Sequence, residues 1–255
     1  MRHNFVNDIG DYAKYALLRA LSSNQGDGVQ LGVIWYLTEH AEHNGDGRKR
    51  AHLSHDGWDQ LDPALLATMR AIESATPSPS ALNLSLIETS TILPTGTAYF
   101  DEAMPGASAP ARQRIARRVA WFERAQKAVA NCDLVFLDPD NGLAVPSTPL
   151  GSPMADKYAS ADEVTTLLRT GAGVVLYQHG NRTPWARQRQ QVCAQIAAAT
   201  DQPLTIRSLR FGAFGVRAFF CITANARATD VVAEGLKLLR HRVHDWNKSA
   251  YLLIE

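Results

Sequence analysis

A short apolar run that ends in a dense polar cluster constrains the fold of this chain more than any other feature. The run 134–137 shows no polar alternation, which predicts a strand buried on both faces, as in a parallel sheet. It is followed directly by Asp138-Pro139-Asp140-Asn141-Gly142. Open α/β sheets bind ligands outside the carboxyl ends of their strands. The stretch therefore predicts a functional site, although the same residue types also form ordinary turns.

Two other apolar runs are predicted to be buried strands with polar ends. The run 31–37 leads into the polar loop 38–48, and the run 174–177 leads into a polar end at His179. The carboxyl ends of parallel strands lie on one edge of a sheet. We therefore expect these segments to share a crevice with Asp138, where a neutral His179 side chain would be a base, a hydrogen-bond partner, a metal ligand or a structural histidine.

Segments with helical spacing alternate with these strands, which predicts an α/β fold with a Rossmann-like, mainly parallel sheet flanked by helices. An alternating segment at 82–89 predicts a further strand that ends at Glu88, and 93–108 is predicted to be a loop. The segments 204–211 and 217–224 flank a short glycine-containing linker and predict an antiparallel C-terminal hairpin. Helices are predicted at 10–21, 57–74 and 109–131, after the capping box at 160–163, at 183–200 and at 229–242.

Composition is that of an ordinary globular protein. With 255 residues, 45% hydrophobic residues and no repeat or clear linker, the simplest organisation is one domain with a helical insertion around 50–130. The formal net charge of +1 excludes a global attraction to nucleic acid or to anionic membranes, so any basic surface is local. Three scattered cysteines, no signal peptide and no apolar stretch of membrane-spanning length predict a cytoplasmic protein without disulfides.

The predicted helix 109–131 carries the most concentrated positive charge in the chain. An apolar stripe of Ile115, Val119, Phe122 and Ala125 is predicted to face the core. The basic residues are Arg112, Arg114, Arg117, Arg118, Arg124 and Lys127. Two interpretations remain open, a solvated helix face and a face that contacts the phosphates of a nucleic acid.

The loop 38–48 has the residue types of a ligand site without the spacing of a known motif. Its carboxylates and histidines, Glu39 and His40 among them, make a metal site conceivable, but no H-E-x-x-H spacing is present. Its two glycines do not form G-x-G-x-x-G, so no dinucleotide fingerprint is present.

The order of predicted elements resembles that of Rossmann-like S-adenosylmethionine-dependent methyltransferases, in which an antiparallel last strand inserts beside a parallel sheet. The segment 138–141 resembles the D-P-P-[YF] motif of amino-methyltransferases, with D-P-D-N at those four positions. Along the chain the similarity is greatest to the bacterial 23S ribosomal RNA adenine-N6 methyltransferases of the RlmJ type. Those begin with R-H-x-F and a D-x-x-K helix, which are similar to 2–5 and 11–14 here. The loop 38–48 and Glu88 resemble the family's first crevice loop and the acid that ends its second strand.

The resemblance implies a methyltransferase that acts on a nitrogen of nucleic acid, with S-adenosylmethionine as cofactor. Asp138 would accept from the target amine, and the neighbouring polar groups would orient it. The catalytic residues would be Asp138, Asp140, Asn141 and His179. The cofactor would contact Lys14, Thr38, Glu39, His40 and Glu88. Nucleic-acid phosphates would contact Arg112, Arg117 and Arg118.

The residues also support an alternative enzyme. A D-x-D pair suits hard cations, so Asp138, Asp140 and His179 would bind Mg²⁺ or Mn²⁺ in a phosphodiesterase or nuclease. A third interpretation is a non-catalytic module of the same fold that only binds a partner.

Overall fold

The structure is a computed structural model that describes residues 2–23, 28–38, 49–78, 81–106 and 109–255. Its strands are β1 (Leu31–Ile34), β2 (Ala98–Phe100), β3 (Leu134–Leu137), β4 (Gly142–Leu143), β5 (Tyr158–Ala159), β6 (Gly173–His179), β7 (Thr205–Phe211), β8 (Arg217–Thr223) and β9 (Leu252–Ile254). Seven of them form one sheet in the order β2-β1-β3-β6-β8-β7-β9, and β4 and β5 form a separate two-stranded sheet. The predicted α/β class is confirmed.

The N-terminal half of the main sheet is parallel, and its strands β1 and β3 are buried on both faces. Strand β3 pairs in parallel with β1 on one side and with β6 on the other. Because successive side chains of a strand point to opposite faces, one strand supplies two cores. Phe136 lies in one core, and its neighbours Val135 and Leu137 lie in the other. This double burial is the reason that the run shows no polar alternation.

Helices cover both faces of the sheet. They are α1 (Ile9–Ser22), α2 (Pro63–Ala75), α3 (Ser85–Glu88), α4 (Ala111–Ala128), α5 (Ala161–Arg169), α6 (Trp185–Ala197) and α7 (Ala226–His244). Helices α1, α2 and α7 pack in the core that contains Phe136. Helices α4, α5 and α6 pack in the core that contains Val135.

Side-chain caps determine where several helices begin. Asp8 Oδ1 accepts from the backbone N–H of Gly10 at the start of α1. The predicted capping box is present at α5, where Ser160 Oγ accepts from Glu163 N at 3.1 Å and Glu163 Oε2 accepts from Ser160 N at 2.8 Å. Helix α7 begins earlier than predicted because Asn225 is its cap.

The predicted strand at 82–89 is wrong. This segment contains the short helix α3, and the strand that pairs with β1 is β2, inside the stretch predicted to be a loop. Leu84 and Ile87, three positions apart, are the buried residues of the turn. A brief alternation of leucines fits a strand and a helical turn equally well, and the packing of the turn decides between them.

The predicted buried stripe of α4 is only half right. Phe122 and Ala125 are buried, but the exposed fractions of Ile115 and Val119 are 45% and 54%. Arg118 is buried instead, on the same face as Phe122 and Ala125. The buried face of α4 is rotated from the predicted one because the buried carboxylate of Glu163 pairs with Arg118.

The C-terminal part of the sheet is antiparallel. Strands β7 and β8 form the predicted hairpin, and β8 pairs antiparallel with β6. The tail adds strand β9 to β7, which the sequence did not predict. Trp246 is buried, and its Nε1 donates to the carbonyl of Gly57 at 2.7 Å, so the tail also packs on the body.

None of the helices in the described ranges is long and apolar enough to cross a membrane. The organisation as one domain with a helical insertion around 50–130 stays a prediction.

Candidate functional site at the carboxyl ends of β1 and β3

The order in which the chain adds strands to the sheet reverses at β1. After β1 the chain forms β2 on one side of it and later forms β3 on the other side. Such a reversal opens a crevice at the carboxyl ends of the two strands, where α/β folds bind ligands. The two strand ends are joined directly, since the backbone N–H of Asp138 donates to the carbonyl of Ile34 at 3.0 Å. The residues that follow β1 and β3 therefore lie at this ligand end.

Lys14 lies between two aspartates at these strand ends. Its Nζ is 2.7 Å from Asp138 Oδ2 and 2.8 Å from Asp11 Oδ1, and all three side chains are at most 4% exposed. Asp11 and Lys14 are three positions apart on α1 and so share one face of that helix. The cluster therefore joins the two segments that carry the sequence motifs.

Burial and the mutual attraction of these charges set their protonation. Burial raises the pKa of Asp11 to about 6, and the neighbouring Lys14 offsets only part of this effect. Burial alone would lower the pKa of Lys14, but Asp11 and Asp138 outweigh it and raise the pKa above its ordinary value. The ammonium is therefore charged at neutral pH, and Asp11 changes its charge slightly below neutrality.

Asp140 lies beside Thr38, as the predicted crevice requires. Thr38 Oγ1 donates to Asp140 Oδ2 at 3.4 Å, and Arg2 Nε lies 3.7 Å from the same oxygen. Burial raises the pKa of Asp140, but nearby positive charges, Arg2 and Lys157 among them, outweigh it and lower the pKa. This carboxylate is therefore ionised at neutral pH.

The turn after Asp140 is held by β6. The carbonyl of Asn141 accepts from Gln178 Nε2 and from the backbone N–H of His179, both at 3.2 Å. Gly142 has a φ of 107°, and a Cβ built there would lie 2.3 Å from Gln178 Oε1, so a side chain at this position would strain the backbone and displace the Gln178 amide. The imidazole of His179 is exposed, with Nδ1 3.2 Å from Tyr177 Oη. The end of β6 thus lies next to the motif.

Glu88 reaches the same end of the sheet from α3 rather than from a strand. Its Oε1 accepts from Trp35 Nε1 at 2.8 Å, and Trp35 follows β1 directly. Burial is the main cause that raises the pKa of Glu88. The residue is half-buried. Its predicted secondary structure is wrong, and its predicted contact with a cofactor stays a prediction.

The predicted cofactor residues differ in how far the structure describes them. Lys14, Thr38 and Glu88 lie near the carboxyl ends of β1 and β3. Glu39 and His40 fall outside the described residues. Lys14 is bound in an ion pair, so its position is fixed by protein carboxylates.

The predicted phosphate contact of Arg118 is wrong. Its Nε is 2.7 Å from Glu163 Oε1, and its Nη2 is 2.8 Å from Glu163 Oε2. The hydroxyl of Tyr36 donates to the same carboxylate at 2.9 Å. Arg118 is 5% exposed and anchors α4 to α5, because a buried guanidinium requires a paired carboxylate. Arg112 and Arg117 are exposed on α4.

The alternative metal set is not assembled. Among the described residues, no group of three or more histidine, cysteine, aspartate or glutamate side chains is placed to hold a metal ion. Asp138 Oδ2 instead faces the ammonium of Lys14. A cation next to that oxygen would be repelled by the ammonium.

Two residues of the site were not among the site residues predicted from the sequence. Asp11 enters the sequence analysis only as part of the D-x-x-K segment; its spacing of three from Lys14 on a helix is the signal that could have placed it beside that lysine. Arg2 lies in the polar lead-in to α1, and no local signal connects it with Asp140, 138 positions further along the chain. Its place depends on how the N-terminal segment crosses the end of the sheet.

Comparisons with known proteins assign no family to the chain. No protein-family model matches it, and no curated protein is similar to it in sequence. The crystal structure of protein LPL1258 from Legionella pneumophila, a DUF519 protein, is similar to it with a TM-score of 0.43 and 9% sequence identity. The match covers 99% of this chain and 97% of that protein.

Proposed function

We propose that this chain is an S-adenosylmethionine-dependent N-methyltransferase-like enzyme that acts on nucleic acid. The observation that carries the proposal is the ion pair between Lys14 and Asp138 at the reversal between β1 and β3. The two segments that resemble the methyltransferase family, one on α1 and one after β3, meet at the end of the sheet where α/β folds bind ligands.

The crevice offers hydrogen-bond acceptors to a cofactor rather than an excess of charge. Asp138 is paired with the ammonium of Lys14, and Asp140 lies among positive charges that include Arg2 and Lys157. S-adenosylmethionine supplies a transferable methyl group on its sulfonium. Its ribose hydroxyls would donate to Glu88, a half-buried acceptor near the end of β1.

Asp138 is the proposed acceptor for the target amine. Lys14 holds Oδ2 of this carboxylate, so an incoming amine meets an acceptor whose orientation is already fixed. Asp140 and Asn141 would orient the amine, because the turn that carries them is itself held by β6. His179 lies exposed beside this turn, where it would contact the substrate.

Nucleic acid is the proposed substrate class. Arg112 and Arg117 lie exposed on α4, where they would contact phosphates. The net charge of the chain is only +1, so affinity for nucleic acid would depend on such local groups and would fall with salt.

Titration calorimetry with S-adenosylmethionine tests the proposal. We expect heat of binding for the wild-type chain and its reduction in Glu88→Gln. Transfer of a labelled methyl group to a mixed RNA or DNA pool should be lost in Asp138→Asn. Asp230→Asn, an exposed aspartate on α7, is the matched control. Absence of heat at millimolar cofactor would refute the proposal.

A further inference from the structure

The tip of the β7–β8 hairpin carries an exposed aromatic ring in an uncommon backbone conformation. Phe214 is 54% exposed, and its φ of 54° lies in the left-handed region. Aromatic residues rarely adopt this region, because their Cβ crowds the backbone. Strain of this kind persists only where the surroundings hold it, and it is concentrated at functional sites.

Two cations hold the tip in place. Lys49 Nζ donates to the carbonyl of Phe214 at 2.7 Å. Arg217 Nη1 lies 3.4 Å from the carbonyls of Ala213 and Gly215, and its Nη2 donates to Asp8 Oδ1 at 2.8 Å. The backbone that carries the ring of Phe214 is therefore held by hydrogen bonds at Phe214 itself and at both of its neighbours.

Lys49 makes the surface beside the ring positive, whereas the charge of Arg217, whose side chain is 12% exposed, is paired with Asp8. Lys49 is exposed, and among the described residues no carboxylate pairs with its ammonium. A Cβ built on Gly215 would lie 3.9 Å from Lys49 Nζ, so the absent side chain leaves this ammonium approachable. The loop after β6, with the exposed Arg182, runs beside the tip, since Gly180 N donates to the carbonyl of Val216 at 2.8 Å.

The tip lies at the same end of the sheet as the candidate site. Arg217 is opposite His179 in the pairing of β8 with β6. It also binds Asp8, the cap of α1, and α1 carries Lys14. A polymer bound at the tip would thus extend towards the ligand end of β1 and β3.

We propose that this hairpin tip binds single-stranded nucleic acid, with one base stacked on Phe214 and backbone phosphates bound by Lys49 and Arg182. The proposal rests on the proposed function and narrows its substrate class to unpaired strands. Stacking on a fixed aromatic ring tolerates any base, and adjacent cations follow the phosphates. A membrane surface is the competing partner, because exposed aromatic and basic residues also suit an anionic interface.

Fluorescence anisotropy with labelled oligonucleotides of about 12 nucleotides, a length within the range bound by single-strand sites, tests this inference on the full chain. RNA and DNA form separate arms. Phe214→Ala should weaken binding about tenfold or more, the loss typical of one stacked base. Phe214→Tyr should retain affinity, whereas Phe214→Leu, which keeps apolar bulk without a π face, should not.

A charge variant and matched controls accompany these measurements. Lys49→Ala should reduce the slope of log affinity against log salt by about 0.7, the value for one phosphate contact of a single strand. Leu253→Ala removes another exposed apolar side chain, 44% exposed, and should bind as the wild type does. Lys237→Ala, a lysine with 77% side-chain exposure on α7, should leave the salt slope unchanged.

Each outcome separates the inference from the proposed methyltransferase activity. Phe214-dependent binding without heat from S-adenosylmethionine would support the hairpin site and refute the methyltransferase. Cofactor heat with oligonucleotide binding that does not depend on Phe214 would refute the hairpin site alone. Phe214-dependent binding to phosphatidylserine vesicles, with no binding of either oligonucleotide, would overturn the inference in favour of a membrane surface.

Discussion

The ammonium of Lys14 and the carboxylate of Asp138 lie 2.7 Å apart, although 124 positions separate the two residues in the chain. Both side chains are buried, so neither charge is solvated by bulk water. Asp11 adds a second carboxylate at 2.8 Å. A buried charge requires such partners because its desolvation costs several kcal/mol. The three groups therefore fix α1 against the end of β3.

Replacement of Lys14 by methionine should destabilise the protein strongly. The aliphatic stem is retained, but two buried carboxylates lose their cation, a change that typically costs about 3–5 kcal/mol. Urea unfolding followed by circular dichroism measures the loss. Lys237→Met, at an exposed position on α7, is the control and should change stability by less than about 0.5 kcal/mol. Equal effects of the two substitutions would contradict the buried ion pair.

Asp11 should make stability depend on pH just below neutrality. Its pKa in the folded chain is about 6, above the ordinary value of 3.8, so the folded state binds the proton more tightly. Its contribution to stability is therefore complete below about pH 4 and is lost as the pH rises through about 6. Relative to Asp11→Asn, the wild-type free energy of unfolding should fall by up to about 1.4 kcal/mol per pH unit across that window. If the free energies of unfolding of the wild type and of Asp11→Asn differ by a constant amount from pH 4 to 7, the pKa of Asp11 is not raised.

His52 should make stability fall as the pH is lowered, the opposite of the pH dependence expected from Asp11. It is fully buried between Tyr12 and Trp58, and burial, with smaller contributions from Arg50 and Arg70, lowers its pKa from 6.5 to about 3. The stability that this lowered pKa contributes is present above about pH 6.5 and is lost as the pH falls towards 3.

The variant His52→Phe isolates this dependence on pH. The substitution removes the titrating ring. As the pH falls, the free energy of unfolding of the variant should therefore decrease less steeply than that of the wild type, by up to about 1.4 kcal/mol per pH unit. His55→Phe, at an exposed position, is the control for an added phenyl ring. Parallel stability profiles for His52→Phe and the wild type would contradict the lowered pKa.

Adjacent arginines on α4 should respond differently to the same substitution. Arg118→Met leaves the buried Glu163 without its cation and should cost about 3–5 kcal/mol. Arg117→Met changes an exposed residue and should alter stability by less than about 0.5 kcal/mol. Chemical denaturation of both variants measures the contrast. If Arg117→Met lowers affinity for oligonucleotides while stability is unchanged, the proposed phosphate contact gains support.

Local sequence signals predicted most elements of the fold, because their causes are local. The unbroken apolar run before Asp138 predicted a doubly buried strand, and the capping box at Ser160 predicted the start of α5. By contrast, the alternating leucines before Glu88 gave the wrong element, since four residues satisfy a strand and a helical turn equally well.

The sequence by itself determined the α/β alternation, the antiparallel C-terminal hairpin and the polar strand ends where a ligand would bind, since periodicity and turn chemistry act between near neighbours. Only the tertiary structure decided which charges pair. It placed Lys14 on Asp138, and it buried Arg118 while its neighbour Arg117 stayed exposed. Adjacent residues of a helix differ by about 100° in direction, so the element packed against the helix selects the one that is buried. That element belongs to another part of the chain, and local patterns carry no information about it.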